Sequence, residues 1–326
     1  MPVRKLAMVI LLAGTLGFGG DRLVRASRQP ILWRDPGAIA SRNVFYGPGG
    51  RDHQPRPPFR FVKEDLDGTN PKFVVRDRDG VRWKVKLGAE ARPETAAARL
   101  VWAAGYFADE DYFLPKLRVS GMPRRLHRGQ NFISPDGSIR YALLKRQPPG
   151  QKKTGIWRWD QNPFAGSREL NGLKTLMALL NNWDLKAENN AIREEGPDLV
   201  YLVSDLGATF GRAGIPGPHL AEKGTLPAYE NSGFIRKVHA ATVDFRSPAF
   251  PGPIFVFDPP VFISRIRLER VGRGIPRNDA RWLGRILAGL SQRQIEDAFR
   301  AAGYFPHEVE GYSKIIGERI AELSDL

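Results

Sequence analysis

Residues 72 to 88, KFVVRDRDGVRWKVKLG, leave the chain few local structures. Two β-rich runs flank DRDG, and Asp79-Gly80 is a strong turn signal, so the stretch reads as a β-hairpin. The second run alternates. Val81, Trp83, Val85 and Leu87 go to one face and Arg82, Lys84 and Lys86 to the other, because successive strand side chains point to opposite sides. The period then changes at once. ARPETAAARLVWAAG is a helical pattern, with Pro93 suited to the first turn and Gly105 to the end. Further strand-like runs, PKLRVSG and IRYALLKR, complete a small sheet with one prominent helix.

The second half has a different texture. SRELNGLKTLMALLNNW carries Leu170, Leu173, Leu176, Met177 and Leu180 at helical spacing. DLVYLVSDLGATFG is β-rich and broken by Gly207, and the tail, NDARWLGRILAGLSQRQIEDAFRAAGY and EGYSKIIGERIAELSDL, is helical. The expected architecture is α+β and bilobal: a β-rich lobe over 59–150, then an α-rich lobe over 151–326.

The 326 residues are 42% hydrophobic and 26% charged, as in folded proteins, and suffice for one large bilobal unit. Lys and Arg number 50 against 35 Asp and Glu, a net charge of +15 that favours phosphate-rich or acidic partners. No recognition-helix or aromatic-basic pattern accompanies it, so nucleic acid is not expected. MPVRK, the apolar LAMVILLAGTLGFGG and then DRLVRAS have the layout of a secretory signal peptide cut after Ala26, or of an uncut anchor. The expectation is export to the periplasm, envelope or exterior, with a membrane surface as a possible neighbour. There is no cysteine, hence no disulfide and no lipoprotein route. Residues 27–58, rich in Pro, Gly and Arg, read as an extended linker or a strap over the domain. The five histidines are scattered, which argues against zinc.

One string stands out: NNWDLKAENNAI, residues 181 to 192. Its WDLKAENN resembles the catalytic loop of the protein-kinase-like superfamily, in which an Asp (Asp184) is followed five residues later by an Asn (Asn189). SDLG, with Asp205, resembles the Asp-Phe-Gly metal-binding motif, and Lys86 and Glu94 resemble the pair that fixes the nucleotide phosphates. The resemblance covers roughly residues 60 to 210 and lies nearest to atypical branches: HipA-like, phosphoinositide-kinase-like and secreted CotH-like. The His-Arg that usually precedes the catalytic Asp is Asn182-Trp183 here. No G-x-G-x-x-G precedes the hairpin; EDLDGTNPKF offers only Gly68, with Thr69 and Asn70 beside it.

The resemblance implies ATP and Mg2+ as cofactors and assigns roles. Asp184 would serve the acceptor hydroxyl, Lys186 the transferring phosphate, Asn189 and Asp205 the metal. Lys86, oriented by Glu94, would hold the α- and β-phosphates, with Gly68 and Thr69 in the nucleotide loop. The acceptor would be a hydroxyl of a protein, lipid or sugar. Two rival expectations remain: an exported pseudokinase-like binding module, and transfer of AMP in place of phosphate.

Overall fold

The computed structural model describes residues 28–68, 70–211, 223–246, 268 and 270–326. The expected leader and Thr69 lie outside the described residues. The hairpin forms as β3 (Lys72–Arg76) and β4 (Arg82–Leu87), paired from Arg76 with Arg82 to Lys72 with Lys86. Its turn is longer than the Asp79-Gly80 pair alone suggests. Gly80 N–H donates to Asp77 O (3.0 Å), Gly80 takes φ 77°, and Asp77 N–H donates to Val81 O. That is a three-residue loop closed by a left-handed glycine. The Asp77 carboxylate ties it down, accepting from the N–H groups of Asp79 and Val81 and from Trp83 Nε1.

With β2 (Phe59–Asp65), β5 (Asp111–Ser120) and β6 (Ser138–Gln147), the hairpin closes a barrel in the order β2-β3-β4-β6-β5. Phe73, Val75, Trp83, Val85, Leu87, Leu117, Ile139 and Leu144 fill it. The alternation in β4 therefore holds: its apolar face turns into the barrel, leaving Lys84 and Lys86 outside. Helix α1 (Ala91–Ala103) packs across β5 and β6 and ends at Gly105, φ 92°.

The second half is less uniformly helical than its sequence texture implies. β7 (Lys152–Gly155), β8 (Asn190–Glu195) and β9 (Asp198–Val203) form a sheet whose far edge is β1 (Gln29–Ile31), parallel to β9. A smaller sheet joins β10 (Ile235–Val238), β11 (Thr242–Phe245) and β12 (Ile275–Pro276). The helices are α2 (Arg168–Leu179), α3 (Leu226–Glu230), α4 (Arg277–Leu287), α5 (Gln292–Ala301) and α6 (Pro306–Ser324). Trp157 and Trp159 belong to the core they share, as does the ring cluster of Phe210, Tyr229, Phe299, Tyr304 and Tyr312. Among the described residues no helix is long and apolar enough to cross a membrane.

The stretch from 28 to 58 is a strap, anchored to the fold. Leu32, Ile39 and Val44 enter the main core. The side-chain amide of Gln294 on α5 donates to the carbonyls of Ile39, Ala40 and Arg42.

Candidate active site

Helix α2 ends in a way that sets the loop after it. Asn181 takes φ 52°; its N–H donates to Ala178 O (3.0 Å), and Asn182 N–H to Met177 O (2.8 Å). This is the double bond pattern of a Schellman ending, with an asparagine tolerating the left-handed position. The Asn182 side chain then accepts from Asp184 N–H (3.0 Å), and Trp183 packs buried against Ala208. The chain has turned off the helix with Asp184 facing outward, about one-third exposed (34%), its carboxylate 3.0 Å from Lys186 Nζ. Asn189 closes the loop. Its Nδ2 donates to Asp184 O (2.5 Å), and its own carbonyl accepts from the N–H groups of Ser204 (2.8 Å) and Asp205 (3.1 Å). The two polar strings of the sequence are thus bound to each other through Asn189.

Lys86 is the centre of the second group. Its ammonium lies 2.5 Å from Glu90 Oε2, 2.6 Å from Glu94 Oε2 and 3.0 Å from Asp205 Oδ1. Burial alone would lower its pKa, but Glu94, Asp205 and Glu90 together hold it above the usual lysine range. Asp205 experiences the reverse. Burial pushes it up, yet Lys86, Lys145 and the Gly207 N–H bring it down to about 2, so it stays ionised. Gly207 is required by close approach: a Cβ there would stand 2.7 Å from Glu90 Cβ.

Behind this group lies a third layer. Lys145 on β6 spends its three donors on three elements: Glu94 Oε1 on α1 (2.9 Å), Asp109 Oδ2 before β5 (2.5 Å) and Ser204 O beside Asp205 (2.6 Å). Asp109 also accepts from Arg193 and from Ser204 Oγ. Burial would raise Asp109, but Arg193 and Lys145 hold it well below the usual carboxylate range. Asp111, fully buried with one oxygen unpartnered, is pushed by burial up to about 8 despite Lys145.

The donor chemistry around Asp205 suits a hard cation. An ionised carboxylate is a ligand that magnesium takes, and Asn189, whose backbone carbonyl accepts from the Asp205 N–H, carries a side-chain amide oxygen of the same hard class. Glu90, Glu94 and Asp205 also place carboxylate oxygens within 4.8 Å of one another, but Lys86 sits among them and already meets that charge.

Of the residues singled out in the sequence, Lys86, Glu94 and Asp205 meet directly, Asp184 meets Lys186, and Asn189 joins the pairs through the backbone. Gly68, φ 63°, offers its carbonyl to Arg128; among the described residues of that loop, Asn70 reaches the cluster, through Glu90 (2.5 Å). Lys84, the rival to Lys86, pairs with Asp65 (2.9 Å) instead. Sequence reasoning missed Glu90, Lys145, Asp109 and Lys223. Glu90 carried a faint signal, standing four residues from both Lys86 and Glu94; Lys145 carried none.

No family model matches the sequence, and no curated protein matches it. Among solved structures, the Helicobacter pylori proinflammatory kinase CtkA is similar at 10% identity and a TM-score of 0.43, over 82% of this chain and 93% of that one. A likeness of that size carries no weight for function.

Proposed function

We propose that the chain is an ATP-dependent phosphotransferase of atypical kinase type, moving a phosphoryl group to a hydroxyl of a protein, lipid or sugar. In this reading the barrel and α1 form the first lobe of a protein-kinase-like fold and residues 151–326 the second, with the protein exported through its N-terminal segment. One observation carries it: a single lysine of a barrel strand holds a glutamate of the following helix at 2.6 Å and the aspartate of SDLG at 3.0 Å. The lysine–glutamate pair and the metal-binding aspartate are the parts phosphoryl transfer needs assembled together.

Lys86, oriented by Glu94, holds the α- and β-phosphates. Asp205 and Asn189 offer oxygens to Mg2+, which when bound neutralises phosphate charge. Asp184 accepts the proton of the acceptor hydroxyl as its oxygen bonds to the γ-phosphorus and ADP leaves. Lys186 supplies positive charge beside it. Transfer of this kind is positioning and charge neutralisation, which fixed side chains provide.

A second reading, a nucleotide-binding module without transfer, draws on the 3.0 Å ion pair that occupies Asp184 with Lys186. Mass spectrometry of the purified chain with Mg-ATP and a panel of hydroxyl acceptors decides. A phosphate added by wild type and not by Asp184→Asn supports transfer. An added AMP moves the reaction to nucleotidyl transfer. Nucleotide binding without any product, hydrolysis included, leaves the module.

A further inference from the structure

The Glu90 carboxylate is held by donors from three separate elements. Lys86 Nζ of β4 lies 2.5 Å from Oε2, and Asn70 Nδ2, from the loop between β2 and β3, donates to the same oxygen at 2.5 Å. Lys223, just ahead of α3, donates to Oε1. Three donors on one anionic group, two of them ammoniums, exceed what is needed to seat a residue beside the first turn of a helix. They are what a phosphate oxygen would ask for.

We infer that Lys86, Asn70 and Lys223 form a phosphate-binding site for which the Glu90 carboxylate competes. This rests on the nucleotide reading above and adds to it two ligand-binding residues, Asn70 and Lys223, and one internal competitor. The charges favour exchange. Glu90 stands among Glu94 and Asp205, both on the same ammonium, so Lys86 already has two carboxylates without it. Burial pushes the Glu90 carboxyl up while Lys86 and Lys223 pull it below its ordinary value, so it occupies the site as an anion. A phosphate and the Glu90 carboxylate exclude one another from that site, since like charges side by side in a buried setting repel strongly.

A cavity adjoins the group on the side of Lys223. Gly88 and Ala89, immediately before Glu90, and Lys223 line a cavity of about 870 Å3 that also borders Arg92, Thr225 and His307. Gly88 takes φ 93°, the left-handed break between β4 and α1. Glu90 thus stands at the start of α1 beside two residues that line the cavity, whereas Glu94 is inside the helix and held by Lys145.

The test is the affinity of the full chain for Mg-ATP and for inorganic tripolyphosphate, by calorimetry, in wild type, Glu90→Gln and Lys223→Met. Glutamine keeps the shape and removes the charge. Glu90→Gln is expected to bind both probes about tenfold more tightly or better, and Lys223→Met to bind both more weakly with an unchanged circular dichroism spectrum. A purely structural glutamate would not give a gain in affinity. Wild-type binding with Glu90→Gln equal or weaker overturns the displacement and leaves the nucleotide reading intact. Absence of binding by every form overturns both. Should Glu90→Gln fail to fold, Lys223→Met decides alone: undiminished tripolyphosphate binding removes Lys223 from the site and with it the inference.

Discussion

Lys84 and Lys86 are two residues apart on one strand, and their neighbours separate them. Lys84, one-third exposed, pairs with Asp65, a contact worth about 0–1 kcal/mol. Lys86 is buried among three carboxylates, and removing it leaves them facing one another at a cost of about 3–5 kcal/mol. Lys86→Ala should lower the melting temperature and abolish the rise given by Mg-ATP, while Lys84→Ala should keep both; calorimetric melts with and without nucleotide check this. Asp111 allows a prediction in pH. Its folded pKa, about 8, lies above the value near 3.9 of an unfolded aspartate. The folded state therefore keeps a proton that the unfolded state loses, and stability declines as pH rises from about 4 through 8. Asp111→Asn should flatten that decline relative to wild type in melts taken across the range. A wild type and variant with parallel profiles would assign the carboxyl an ordinary pKa.

Where elements meet, Gly207 and Glu90 decide how closely the SDLG loop approaches the start of α1. Gly207→Ala would place its Cβ 2.7 Å from that of Glu90 and so must push loop and helix apart. The expected cost is about 1–3 kcal/mol, with a larger loss in Mg-ATP stabilisation than in the melting temperature of the free chain, since Asp205 moves with the loop. The hairpin and α1 could be read in the sequence because their periods, two and 3.6, are each unbroken over Val81 to Leu87 and Ala91 to Ala103. Lys86, Glu94, Asp184 and Asp205 were legible through order and spacing along the chain. Glu90 was not, because Gly88 breaks the element between it and Lys86, so no periodicity links the two. Lys145 ends an apolar run in the manner of any solvated strand lysine; only the packing of α1 and the Ser204 turn over β6 encloses it. The sheet of β1, β9, β8 and β7 escaped for another reason. Its edge joins Gln29 to Asp198, a pairing that no local pattern announces.

Gln294, one side chain on α5, ties the middle of the strap to the far end of the chain. Gln294→Ala leaves the carbonyls of Ala40 and Arg42 without this donor, Ile39 O keeping the Arg42 N–H, and should cost about 1–3 kcal/mol. Limited proteolysis should then cut within residues 28–58 faster than in wild type; equal cleavage rates in variant and wild type would show the strap held by its other anchors, the apolar side chains and the bonds to α1 and β9. The strap also imposes an order of events on the growing chain. Its first residues pair with a strand some 168 positions later, and its middle is fastened from a helix about 250 positions later. During synthesis those two fastenings close late, because contacts this distant in sequence are the slowest to form, while the bonds the strap makes to Trp102, Ala104 and Gly105 can form once α1 has emerged.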